Sequence, residues 1–250
     1  MTIVSAYKSD TGRRRKRNED FVWIDETNKL FIVADGMGGH EAGDVASQLA
    51  ATTVGDWITS ELKDKTEPIL PAMVTQTIVD AVEAANKTVL DAAIEAGQKR
   101  QMGTTIVVAL VRSAVAYISH VGDARAYLAR ESTLMQLTKD DSWKVQFGDK
   151  YTKTDLPKGK FEHILTKAIG QDAILNPSLT EVKLTPGDWL LLCSDGLWNM
   201  VEDNQILAEL QNAGDNPTQA VEALVAAANE AGGKDNISVT AIKILPPENA

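Results

Sequence analysis

Hydrophobic and polar positions divide this chain into segments of two distinct periods. Short apolar runs come first: TIVSAY, then DFVWID, a polar turn at Glu26-Thr27-Asn28, and KLFIVAD. Two strand-sized runs joined by a short polar turn predict an antiparallel pair. After Asp35 the glycine-rich GMGGHEAGD reads as a tight loop. The period then lengthens to that of a helix, with Val45, Leu49, Thr52, Thr53, Asp56, Trp57 and Ile58 along one stripe that runs to Leu62. A charged, proline-containing connection over 63–71 leads to a second long helix over 72–96. Its predicted buried side holds Met73, Ile78, Val82, Ala85, Val89, Ala93 and Ile94, and Gly97 is its stop.

Three β-rich runs follow, TTIVVALV, AVAYISHVG and ARAYLAR, separated at Arg112-Ser113 and Gly122-Asp123. That spacing predicts an antiparallel meander. Residues 138–163 are polar, contain Gly and Pro, and have little periodicity, which marks a long functional loop. SLTEVKL and DWLLLCSD lie either side of Pro186-Gly187; helices over 203–211 and 217–231 and a last strand, ISVTAIKIL, complete the chain before the tail at 246–250. Strands in antiparallel order, with four helices grouped in consecutive pairs, are not the alternating pattern of a parallel sheet. The class is therefore α+β, with helices packed on sheets. No linker or repeat divides the chain, so residues 1–245 read as one domain.

Composition narrows the setting. Cys193 is the single cysteine, so no intrachain disulfide can form, which fits a reducing compartment. The start of the chain lacks the pattern of a secretory signal, and no run approaches the ~18 apolar residues of a membrane span. The expectation is a cytoplasmic, unanchored monomer. Net charge is −10, although five basic residues sit together at Arg13-Arg14-Arg15-Lys16-Arg17; without them the balance is 20 − 35 = −15. An acidic body disfavours nucleic acid. One basic spot on it suits a single anionic ligand, and its plainer reading is a solvated loop.

Several aspartates share one setting, an apolar β-run abutting Asp followed by Gly or Asn: FIVADG at Asp35, LLLCSDG at Asp195 and GGKDNISV at Asp235. Asp20 precedes a strand in NEDFVWID, and Asp123 lies between strands in SHVGDAR. Carboxylates gathered at strand ends repel one another unless cations neutralise them. Oxygen-only ligands favour Mg²⁺ or Mn²⁺ over zinc, and three histidines with one cysteine offer no zinc constellation. Taken singly, each Asp-Gly is a plain turn. Cys193, inside LLLCSD, reads as core packing.

The motifs R-x-x-x-E-D (Arg15 to Asp20), DGMGGHEAGD (Asp35 to Asp44), MGTT (Met102 to Thr105), VGDAR (Val121 to Arg125), SDGLW (Ser194 to Trp198) and GGKDNISV (Gly232 to Val239) occur in one order along the chain. In that order they resemble the metal-dependent protein phosphatases of type 2C, and the DGMGGH form is similar to the bacterial branch. The resemblance implies a four-layer αββα sandwich of two antiparallel sheets flanked by helix pairs. It implies that Asp35 bridges two divalent ions, with the Gly36 carbonyl on one and Asp195 and Asp235 on the other. Asp20, with Glu19 as a second candidate, would hold metal-bound water, and Asp123 with Asp195 would form a third-ion site. Arg15 would bind the substrate phosphate, and residues 143–163 would form a flap. The implied reaction is hydrolysis of phosphoserine and phosphothreonine in proteins, substrates of a Ser/Thr kinase, by a metal-bridging water without a covalent intermediate.

The chain departs from the family pattern at three places. Met37 replaces a histidine found in many eukaryotic members, so the leaving-group donor must come from elsewhere; His40 is the nearest candidate, a metal-bound water the alternative. Ala124 removes a hydroxyl beside Asp123, and Asp140-Asp141-Ser142 stands where members often read D-H-S. His120 and His163 have no motif context and read as structural. Two other readings stand beside the main one: a phosphatase of small-molecule or nucleotide esters, and an inactive regulatory relative.

Overall fold

The computed structural model describes residues 1–38, 42–63, 65, 69–98, 101–147, 164–172 and 174–247. Eleven strands and six helices are found among them. Strands β1 (Thr2–Asp10), β11 (Ile237–Leu245), β10 (Trp189–Cys193), β7 (Arg125–Arg130) and β8 (Thr133–Gln136) form one sheet in that order. The second sheet runs β2 (Asp20–Asp25), β3 (Leu30–Met37), β5 (Ile106–Arg112), β6 (Val115–Val121) and β9 (Ser178–Lys183), with the two-residue β4 (Gly103–Thr104) on the end of β3. All recorded pairings are antiparallel.

The near-continuous apolar runs follow from this stacking, because strands covered on both faces have no polar face to show. In β3, Leu30, Ile32 and Ala34 pack towards the helices α1 (Ala42–Leu62) and α2 (Pro71–Glu95), while Phe31 and Val33 join the seam between the sheets. In β10, Leu190 and Leu192 enter that seam. Trp189, Leu191 and Cys193 face the opposite way, towards α5 (Asp203–Asn212) and α6 (Pro217–Glu230). Three apolar layers between four structural layers make the αββα sandwich that the motifs imply. Cys193 is fully buried as expected, and burial pushes its thiol pKa upward.

Several expectations need correction. The stripe on α1 is displaced: Ala46, Ala50, Ala51, Val54, Ile58 and Leu62 are buried, whereas Val45 and Trp57 are exposed. Small alanines let α1 sit close to α2, and that contact outranks the larger side chains beside it. On α2, Met73 and Ile94 are likewise exposed, while Ile78, Val82, Ala85, Val89 and Ala93 are buried. Gly97 does stop α2: at φ +67° it donates to the Ile94 carbonyl at 3.0 Å, while Gln98 N–H reaches that of Ala93 at 2.8 Å.

The meander is also only half formed. β5 and β6 pair, but β7 lies in the other sheet. Gly122-Asp123 is therefore a crossing between sheets, not a hairpin, and Pro186-Gly187 makes a second crossing from β9 to β10. Two short helices, α3 (Trp143–Phe147) and α4 (Asp195–Trp198), and the short strands β4 and β8 complete the count. Most of the expected flap, residues 148–163, lies outside the described residues.

Candidate active site

Each crossing or strand end at one edge of the sandwich carries an acid, and these acids converge. A cavity of about 640 Å³ opens there, lined on one side by Arg15, Glu19, Asp35, Gly36, Asp123, Asp195 and Asp235. Leu165 to Ala168 with Gln171 and Asp172 line it too. Asp20 belongs to the same cluster from beneath: it is buried and stands directly across from Asp35 in the β2–β3 register.

Backbone hydrogen bonds fix the Asp35 corner. Its carbonyl accepts from the Thr105 N–H at 2.8 Å and the Thr104 hydroxyl at 2.8 Å. The next residue must be glycine. A β-carbon on Gly36 would stand 2.1 Å from the Gly43 carbonyl oxygen and 2.5 Å from that of Glu19. The close approach of α1 to the β2–β3 edge therefore depends on it.

The opposite wall is tied down by Asn236, whose Nδ2 donates to the carbonyls of Thr11 at 2.9 Å and Arg17 at 2.8 Å. Its Oδ1 accepts from the Glu19 N–H at 2.8 Å. One amide thus pins the arginine-rich loop and the Glu19–Asp20 entry to β11. The N–H groups of Arg13 and Arg14 add contacts to the Gly233 carbonyl at 2.8 and 3.2 Å. Held this way, Arg15 reaches Asp235 with Nη2 at 2.6 Å. Ser194 bridges the two sheets, donating to Asp20 Oδ2 at 2.7 Å and accepting from the Ser238 N–H at 2.9 Å.

Electrostatically this is a crowded anionic site. Burial, and then the charges of Asp20, Asp195, Asp123 and Asp235, hold the Asp35 carboxyl well above the ordinary carboxylate range. Burial raises Asp20 to about 7; Ser194 and Ser238 oppose that, and Asp195 and Asp235 add to it. Asp123 also rises to about 7, through burial and then the charges of Asp195 and Asp140. Burial raises Glu19 as well, against the pull of Arg15.

Asp20 Oδ1 is buried and accepts no hydrogen bond. A buried carboxylate oxygen without a donor suits a cation or a water held by one. Among the described residues no three His, Cys, Asp or Glu side chains are grouped closely enough to hold a metal ion as they stand. An all-oxygen set with one donorless buried oxygen still fits a hard divalent ion.

The structure thus gathers Arg15, Asp20, Asp35, Gly36, Asp123, Asp195 and Asp235 in one place. His40 and His163 lie outside the described residues. His120 is remote in role, its Nε2 paired with the Lys139 carbonyl at 2.8 Å. Sequence reasoning gave no role to Ser194 or Asn236, although each adjoins a predicted ligand. It also missed the 164–172 wall. Asn86 anchors that wall to α2, donating to the Asp172 carbonyl at 2.8 Å and accepting from the Gly170 N–H at 2.8 Å.

Comparison with known proteins adds independent findings. The family model for protein phosphatase 2C matches residues 13–231. The serine/threonine phosphatase stp of Listeria welshimeri is 32% identical over 243 residues, covering 95% of this chain and 94% of its own. The serine/threonine phosphatase PstP/Ppp of Mycobacterium tuberculosis superposes with a TM-score of 0.84 at 31% identity, covering 98% of this chain and 100% of that one. The catalytic domain of PstP in complex with two manganese ions gives a TM-score of 0.82 at 31% identity, with 98% and 99% covered.

Proposed function

We propose, because this chain belongs to the protein phosphatase 2C family, that it hydrolyses phosphoserine and phosphothreonine in proteins with divalent cations at its carboxylate cluster. The observation that carries the proposal is the convergence of Asp35, Asp123, Asp195 and Asp235 on one cavity, with Asp20 beneath them and Arg15 facing them. In the reading adopted from the motifs, Asp35, the Gly36 carbonyl, Asp195 and Asp235 would hold two ions, Asp20 would act through water, and Asp123 would serve a third ion. Mg²⁺ or Mn²⁺, when bound, supplies Lewis acidity and an activated water.

The chain's own residues do the rest. Ser194 and Asn236 hold their acids in register, which keeps the reorganisation needed on substrate binding small. Arg15 is half exposed at the rim, and Asp235 occupies Nη2 of its fork. A guanidinium there can match two phosphate oxygens and offset the charge that spreads over them in the transition state. The buried Cys193 thiol is no nucleophile, which supports direct displacement without a phospho-enzyme. His40 keeps its proposed role as leaving-group donor.

No helix among the described residues is long and apolar enough to cross a membrane. A cytoplasmic monomer acting on the products of a Ser/Thr kinase, with residues 1–245 as one catalytic domain, remains our reading of the chain. The test is steady-state hydrolysis of phosphoserine, phosphothreonine and phosphotyrosine peptides with Mn²⁺, with Mg²⁺ and with a chelator. Turnover of the first two that stops with chelator is expected. Preference for a nucleotide or metabolite ester would overturn the substrate assignment, and no turnover of any ester would favour an inactive relative.

A further inference from the structure

Asp140 and Asp141, the second of which stands where the family pattern has histidine, are both engaged in the structure. Asp140 receives Nε of Arg125 at 3.0 Å and Nη2 at 2.7 Å, a two-pronged and largely buried ion pair. Nη1 of Arg125 donates to the Tyr127 hydroxyl at 2.9 Å. So fixed, the guanidinium lies over the Trp198 ring, its Cζ 3.6 Å from the centroid. Trp198 in turn donates its indole N–H to the Asp123 carbonyl at 3.0 Å. Asp141 secures the other side of the crossing: its N–H donates to the Gly122 carbonyl at 2.8 Å, and its Oδ2 accepts from the Gly122 N–H at 3.2 Å.

Trp198 ends α4 and Asp195 begins it. The indole therefore ties the segment that carries Asp123 to the helix that carries Asp195. Those two acids line the same cavity and carry like charge, so they repel. Left to itself, that repulsion would spread the segments apart. A tie made through a backbone carbonyl resists the spreading without using an oxygen of the Asp123 side chain.

We propose that Trp198, seated by Arg125 and Asp140, is a positioning residue that sets the spacing of Asp123 and Asp195 for a cation held between them. This rests on reading the cavity as a divalent-cation site. The experiment compares Trp198→Phe, Asp123→Asn and the double variant in the full chain. Mn²⁺ is titrated calorimetrically into chelator-treated protein, and kcat and KM are measured on a phosphothreonine peptide. Trp198→Phe keeps an aromatic ring under Arg125, though a smaller one, and removes the N–H. We expect it to weaken the lower-affinity Mn²⁺ step about tenfold, to lower kcat with the peptide KM unmoved, and to cost nothing further in the Asp123→Asn background.

Asp140→Asn, acting through Arg125, is expected to repeat this pattern at smaller size, and it decides the matter if Trp198→Phe does not fold. An equal loss in both backgrounds overturns the proposal, as does a folded Trp198→Phe protein with a lowered melting temperature but an unchanged Mn²⁺ isotherm. An Asp123→Asn protein that binds Mn²⁺ like wild type overturns it as well, since no cation then depends on Asp123. The cation reading of the whole cavity fails separately, only if Asp195→Asn also leaves Mn²⁺ binding intact.

Discussion

Strand β2 begins with Asp20 and ends with Asp25, and the fold treats these two carboxylates in opposite ways. Asp25 is satisfied locally: Oδ1 accepts from the Asn28 N–H at 2.9 Å, and Oδ2 from Asn28 Nδ2 at 2.7 Å and the Thr59 hydroxyl at 3.2 Å. Burial pushes its pKa up, but those donors outweigh it and the net shift is downward. Asp20 is more deeply buried, keeps one oxygen without a donor, and is pushed up to about 7. Asp25 stabilises the native state alone, whereas Asp20 needs a partner that the polypeptide does not supply. Acidity by itself does not mark a functional carboxylate. Incomplete satisfaction inside a buried cluster of like charges does.

The largest effect expected is for Asp195→Asn, which removes charge from the centre of the cluster. Hydrolysis of a phosphothreonine peptide should fall by more than about a hundredfold, beyond the usual cost of losing a supporting contact. Near-normal turnover would refute the site.

Asp20→Asn and Asp25→Ala test the contrast itself. The first should reduce turnover strongly without lowering the melting temperature of metal-free protein, because it removes a poorly solvated charge. The second should leave turnover within about twofold and cost about 1–2 kcal/mol in chemical denaturation, through the donors left without an acceptor. A reversal of either outcome would break the comparison.

Arg15→Ala should act mainly on phosphate recognition, raising the inhibition constant for inorganic phosphate about tenfold, the order expected for one charge-assisted contact. Greater sensitivity at Arg13 or Arg17 would show that the basic run presents a different residue.

A subtler effect concerns pH. A carboxyl at about 7 when folded, against 3.8 ordinarily, keeps a proton that the unfolded chain has lost across that window. The folded state therefore binds more protons there, and the contribution of Asp20 to metal-free stability falls as pH rises from about 4 to about 7. Asp25 and Asp188, whose pKa values are lowered, work in the opposite sense at lower pH. The diagnostic is thus a difference: melting temperatures of chelator-treated wild type should fall more steeply from pH 5.5 to 7.5 than those of Asp20→Asn. Parallel curves would count against a raised Asp20.

The α+β class was legible in the antiparallel order of the strand runs and the consecutive pairing of the helices. The four-layer sandwich was implied by the family resemblance of the motifs, and β3, β5 and β10, apolar on both faces, fit it. The crossing at Gly122-Asp123 was not legible, since a Gly-Asp pair serves a hairpin and a change of sheet equally well. The α1 stripe was misread because the helix packs through Ala46, Ala50 and Ala51, whose small side chains carry little weight in a hydrophobic pattern. The acids of the site announced themselves by their place at strand ends. Ser194 and Asn236 gave a fainter signal, each a polar residue beside a predicted ligand. The wall at 164–172 has no period at all and is placed by the distant Asn86, which no local pattern predicts.

The fold gathers buried acids whose mutual repulsion divalent cations would relieve. Calorimetric titration of Mn²⁺ into chelator-treated protein, repeated in buffers of different ionisation enthalpy, tests it most directly. The prediction is saturable binding that releases protons at pH 6, because ions displace protons from the raised carboxyls. Binding without proton release at pH 6, or no saturable binding, would contradict it.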